Sequence, residues 1–118
     1  MNGPASVQDW IAKAECADVI QRWALYRDQK RWEELQSTFT RDGEIHVCWY
    51  KGSIGGFVDH LRTRDQARAG IAKHHIFPSV VQVNGTHAVA ETSAVIMVRQ
   101  MIGEILVDLN SKGRFLDR

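Results

Sequence analysis

Chemistry in this chain would have to come from a carboxylate and an imidazole. Asp28 lies at the tail of a helical pattern through Trp10, Ala14, Ala17, Ile20 and Ala24. It continues the Ala17–Ile20–Ala24 row and should therefore face inward, although a carboxylate at a helix C-terminus opposes the helix dipole. A carboxylate placed there against that cost is a candidate functional group, the alternative being a solvated helix end. His74 and His75 open a strand pattern and so point to opposite faces. His75 shares its face with Phe77, which makes it the pocket candidate and leaves His74 as a lesser one. A register error of one residue would exchange them. The alternative for either is a core or rim histidine bonded to a backbone carbonyl. A neutral imidazole can remove a proton and return one, and a carboxylate on its second nitrogen fixes the tautomer.

A side-chain wall around such a pair is available. Trp23, Tyr26, Trp49, Phe57 and Met97 are expected in the core or on a pocket wall. Asp108 and Asn110 share a strand face that could point into a pocket or out to solvent, and Asn110 is assigned to the pocket. His46, His60 and His87 are expected on the surface. Adjacent His74 and His75 cannot chelate one ion together, and the cysteines Cys16 and Cys48 form no CxxC. Neither a metal nor a cofactor is expected, and both thiols are expected to be buried and reduced.

These groups need elements to position them. Ser6 and Asp9 resemble a capping box opening the first helix, which runs to Asp28. Trp32, Leu35 and Phe39 mark a short second helix, with Gly43 as a left-handed terminator beyond it. Glu44 to Tyr50 reads as a strand, and Gly52, Gly55 and Gly56 as a loop. Phe57, Val58 and Leu61 begin a third helix that extends through Arg64 to Ala69. His74 to Val83, Ala88 to Met101 and Glu104 to Leu116 read as strands, with a hairpin signal at Asn84–Gly85 and a turn at Gly103. Helices first and hairpins last predict an α+β fold, with N-terminal helices packed on a strongly curved antiparallel sheet. The sheet is expected to form a cone-shaped half-barrel around an internal pocket.

Composition agrees with one globular domain over residues 1–118. Hydrophobic residues are 44%, charged residues 25%, and the formal net charge is +1. Basic residues are dispersed, which argues against a nucleic-acid partner; the densest stretch, Arg62, Arg64 and Arg68, is interrupted by Asp65. The N-terminus lacks a basic and an apolar signal-peptide region, and no apolar run is long enough to span a bilayer. No membrane association and a cytoplasmic location are the resulting expectations.

The order of several short motifs resembles the nuclear-transport-factor-like superfamily, in its SnoaL-like branch. They are Trp23-Ala-Leu-Tyr26-Arg-Asp28, Trp32-Glu-Glu-Leu35, Phe39-Thr-Arg-Asp42-Gly43, His74-His75, Val83-Asn84-Gly85 with Ala88-Val-Ala90-Glu91, and Gly113-Arg114-Phe115-Leu116-Asp117-Arg118. The resemblance implies a cone-shaped α+β barrel, a homodimer or trimer, and a chain that stops before the family's last strand. In the scytalone dehydratase and dehydrochlorinase branch, an Asp orients a catalytic His. By that resemblance Asp28 and His75 take the two positions. The chain departs from the dehydratases at Arg27, where they carry tyrosine, and near Val98 and Arg99, where they carry a second histidine.

The function so implied is a cofactor-free lyase or isomerase, dehydratase-like, acting on a small, mostly apolar cyclic substrate. His75 would be the base, Asp28 its orienter and Tyr26 a hydrogen-bond donor. Trp23, Trp49, Phe57, His74, Met97 and Asn110 would line the substrate. The alternative is a non-catalytic binding or assembly domain using the same cone. Fold alone does not choose between them.

Overall fold

The computed structural model describes residues 6–67 and 70–118. Helix α1 (Val7–Asp28) opens on a reciprocal capping box. The Asp9 amide donates to Ser6 Oγ at 3.1 Å and the Ser6 amide to Asp9 Oδ2 at 3.2 Å. Lys30, at φ 58°, turns the chain into α2 (Trp32–Ser37). It takes the left-handed conformation that was expected of Gly43, whose φ is not positive.

The stretch expected to be one strand from Glu44 to Tyr50 is a hairpin. Strands β1 (Glu44–Val47) and β2 (Tyr50–Ser53) pair antiparallel about a turn at Cys48–Trp49. That turn exposes the Cys48 thiol, and Cys16 is only half-buried, so neither cysteine is the core thiol expected. The glycine cluster expected to be a loop instead ends β2 and begins α3 (Ile54–Ala67). Gly56 is there for close approach. A Cβ at that position would lie 2.3 Å from the Tyr50 hydroxyl oxygen, which donates to the Ser53 carbonyl at 2.9 Å. The expected helix end at Ala69 lies outside the described residues.

The second half is one antiparallel sheet built on a long central strand. Strands β3 (Ile71–Ile76) and β4 (Val80–Asn84) lie end to end along one edge of β5 (His87–Ile102). Strand β6 (Ile105–Asp117) runs along the other edge, from the Ile102–Ile105 pair to the Ala90–Asp117 pair. The expected strand from His74 to Val83 is interrupted at Phe77–Ser79, because Pro78 has no amide to give to the ladder. The hairpin between β4 and β5 closes on Gly85–Thr86, one residue later than the Asn84–Gly85 signal implied, with Gly85 at φ 60°.

Side-chain alternation gives the sheet two unlike faces. Ala90, Thr92 and Ala94 are buried beneath α1, whereas Val89, Glu91 and Arg99 are exposed on the opposite face. On the inner face Ile20 of α1 packs against Val81 and Ala90. A second core of Leu35, Ile54, Phe57, Val58 and Leu61 joins α2 and α3, with Ile45, Val47 and Tyr50 of the β1–β2 hairpin packed against it. Trp23 and Tyr26 reach that core from α1. Helix α1 thus spans both cores and delivers its last residue, Asp28, to β3. The fold is α+β, helices before antiparallel sheet. Among the described residues no helix is long and apolar enough to cross a membrane.

Candidate active site

Asp28 meets His74, not His75. Its Oδ1 lies 2.6 Å from His74 Nδ1, and its Oδ2 accepts from the His74 backbone amide at 2.8 Å. The His74 side chain is 1% exposed and that of Asp28 19%. A carboxylate only accepts, so His74 Nδ1 carries the hydrogen and Nε2 of the neutral ring carries the lone pair. Nε2 is buried and has no protein partner among the described residues.

His75 was the expected partner, and the register excludes it. His74 lies opposite Ile96 of β5 and His75 opposite Val95. Paired residues share a face, and Ile96 belongs to the set Ala90, Thr92 and Ala94 that turns toward α1. His75 is exposed on the outer face. The inference from Phe77 failed because Phe77 lies beyond β3, half-exposed, and does not mark the inner face.

Trp23 closes the site from α1. Its ring stands edge-on to His74, with centroids 5.5 Å apart, and edge-on to Phe115 of β6 at 5.3 Å. Its indole Nε1, a donor only, is also buried without a protein partner among the described residues. Two complementary orphans therefore occur on neighbouring rings, a lone pair on His74 and an N–H on Trp23. Buried polar atoms are rarely left so, and a bound molecule with an oxygen acceptor would satisfy the indole.

The other expected site residues divide between places. The Tyr26 hydroxyl accepts from Arg22 Nη1 at 3.2 Å, and Arg31 lies over its ring at 4.6 Å. Two residues before Asp28 is about 200° around the helix, so Tyr26 is turned away from the dyad. Met97 and Asn110 face each other across β5 and β6 on the outer face. There they line an open groove of about 380 Å³ with Lys73, Arg99 and Asp108. A second groove, about 410 Å³, lies on the same face near Val80, Val89 and Leu116. Alternation rules Met97 and Asn110 out of contact with the dyad. Arg99 donates to Asp108 at 2.7 and 2.9 Å, and that hydrogen bonding holds the carboxyl below its usual range.

Trp49 and Phe57 do come together, stacked at 5.3 Å and 23°. They meet the dyad's neighbourhood through Arg27, a position marked in the sequence only as a departure from the dehydratases' tyrosine. Its guanidinium lies 5.3 Å from the Phe57 ring centre, 5.7 Å from that of Trp23 and 6.0 Å from that of Trp49. Burial, aided by the nearby Arg64 charge and opposed by Asp28, pushes its pKa down to about 10. The signal available in the sequence was an arginine beside an inward aspartate on a helix whose apolar stripe is wide. Among the described residues no three His, Cys, Asp or Glu side chains converge as a metal site would require.

Residues 8–117 match the family model of the SnoaL-like domain. Protein AN9274 of Emericella nidulans is 27% identical over 119 residues, covering 97% of this chain and 48% of the relative. The chain spans about half the length of the curated relatives it matches, or less. Among solved structures, Rv3472 of Mycobacterium tuberculosis superposes with a TM-score of 0.70 at 16% identity, covering 98% of this chain and 67% of that one. An NTF2-like protein of Exiguobacterium gives a TM-score of 0.59 at 17% identity, covering 90% and 85%. At such identities these two structures speak for the fold.

Proposed function

The chain belongs to the SnoaL-like domain family, and on that premise we propose that it is a cofactor-free lyase or isomerase with His74 as its base. The observation that carries the reading is the buried His74–Asp28 pair with its unpartnered Nε2. Asp28 holds Nδ1–H, which leaves the Nε2 lone pair to take a proton from a carbon next to a carbonyl or similar group. The carboxylate then stabilises the imidazolium. The electron pair released from the C–H bond enters the carbon framework. In an elimination it forms a double bond as the neighbouring C–O bond breaks, and His74 returns its proton to the departing hydroxide as water. In an isomerisation the proton returns to another carbon. The Trp23 indole N–H donates to the substrate oxygen in either case. Tyr26, engaged with Arg22, has no part.

The substrate class is a small cyclic molecule, consistent with the aromatic wall of Trp23, Phe115, Trp49 and Phe57. A homo-oligomer is part of the same proposal. The outer sheet face leaves Ile71, Val80, Val89, Met101, Leu106 and Leu116 exposed, and a second copy would cover them.

The second reading, a non-catalytic binding domain, is favoured by one observation. No further titratable side chain joins His74 and Asp28 in a hydrogen bond among the described residues. The two readings are separated with a panel of cyclic β-hydroxyketones, following enone absorbance. The enzyme reading expects water loss by the wild type and none above background by Asp28→Asn. Binding of panel members without any turnover supports the second.

A further inference from the structure

Arg27 is a half-buried cation with no ion-pair partner among the described residues. Among the described residues no carboxylate lies within ion-pair distance of it, and Asp28, its neighbour in sequence, is committed to His74 through both oxygens. Its surroundings are the rings of Phe57, Trp49 and Trp23. A second cation stands beside it, since Arg64 of α3 lies over the Trp49 ring at 4.7 Å. The two charges repel, and this repulsion joins burial in disfavouring the charged form of Arg27. Aromatic faces attract a guanidinium only weakly, which does not replace a counter-charge.

We propose that Arg27 and Arg64 form an anion-binding subsite that takes the carboxylate of a cyclic or aromatic acid, with the ring against Trp49. The guanidinium fork matches a planar carboxylate in two parallel hydrogen bonds, and an aromatic wall accepts the ring that carries it. Trp23 borders this subsite and the His74 site alike, at 5.7 Å from Arg27 and 5.5 Å from His74. One ligand could therefore rest its carboxylate on the arginines and present a carbon to the imidazole. This deepens the proposed function and rests on it for the second half of that statement. It also changes the substrate class, from mostly apolar to anionic.

The test is binding of benzoate and of its neutral isostere benzamide to the full chain by isothermal titration calorimetry, with phenyl phosphate as a third probe. Wild type should bind benzoate at least about tenfold more tightly than benzamide, as one charge-assisted contact allows. Arg27→Met should remove that preference. Arg64→Met, an exposed change that leaves the core alone, should weaken benzoate several-fold, while Arg62→Met should not. Equal affinity for benzoate and benzamide, no benzoate binding, or benzoate affinity unchanged by Arg64→Met overturns the subsite. Tighter binding of phenyl phosphate than of benzoate overturns the carboxylate assignment. His74→Gln separates the two proposals, because it should abolish turnover and keep benzoate binding. Turnover lost with binding retained supports both; binding lost in Arg27→Met while wild-type turnover is nil on every substrate supports the subsite alone.

Discussion

Asp28 grips His74 twice, by ring and by backbone. Oδ1 holds the imidazole Nδ1 at 2.6 Å and Oδ2 takes the amide of the same residue at 2.8 Å. The first contact sets the tautomer. The second ties the end of α1 to β3 and fixes where the ring can stand. One carboxylate thus joins an element of the fold to an element of the chemistry.

Asp28→Asn should separate these roles poorly, because an amide supplies one acceptor where the carboxylate supplies two. Turnover should fall by about 10⁴-fold through the wrong tautomer. Stability should fall by roughly 1–3 kcal/mol, since the His74 amide or ring is left unsatisfied in a buried place. Urea denaturation beside the kinetic assay checks both. An unchanged midpoint would place the carboxylate in solvent.

Arg27→Met should raise the melting temperature at neutral pH. Burial pushes the Arg27 pKa down to about 10, below the ordinary guanidinium value. A base that loses proton affinity on folding destabilises the folded state wherever the unfolded chain keeps the proton. That cost is complete below pH about 10 and eases as pH rises above it. Methionine keeps the aliphatic bulk and removes the charge. Calorimetry at pH 7 should show a higher midpoint for the variant, together with the loss of benzoate affinity; a lower midpoint would mean the guanidinium has a counter-ion.

Trp23→Phe removes an indole N–H that has no protein partner among the described residues. The unliganded protein should lose no hydrogen bond, and its stability should change only by the volume difference, about 1 kcal/mol. Affinity for a ligand carrying a carbonyl should drop several-fold. A matched pair of melts, with and without ligand, reads both numbers.

Gly56→Ala should destabilise through one contact, the 2.3 Å approach to the Tyr50 hydroxyl. Removing that oxygen should relieve it. The double variant Gly56→Ala with Tyr50→Phe is therefore expected to be more stable than Gly56→Ala alone, a coupling that a double-mutant cycle measures directly. Strict additivity would show that the close approach carries no energy.

The sequence was most readable where a signal is local. Ser6 and Asp9 announce the start of α1, and the row Ala17, Ile20, Ala24 carries Asp28 to the inner face. What failed needed tertiary information. Choosing between His74 and His75 required a register, and Phe77 was a false guide because Pro78 ends the ladder just beyond it. Gly55 and Gly56 have the composition of a loop, but Gly56 is in α3 because Tyr50 lies against it. Met97 and Asn110 looked like wall residues, yet alternation along β5 and β6 turns them outward. Arg27 stood out in the sequence only as a departure from the dehydratases' tyrosine, and its packing against Trp23, Trp49 and Phe57 is what makes it unusual.

The central claim is that the His74 imidazole is the base, and solvent hydrogen exchange at carbon tests it without knowledge of the natural substrate. Cyclic ketones and keto acids in deuterium oxide are followed by proton NMR with wild type, His74→Ala and His75→Ala. Wild type and His75→Ala should incorporate deuterium beside the carbonyl at equal rates, and His74→Ala should be slower by about a hundred- to ten-thousand-fold. Exchange that survives in His74→Ala, or that is lost in His75→Ala, would contradict the account.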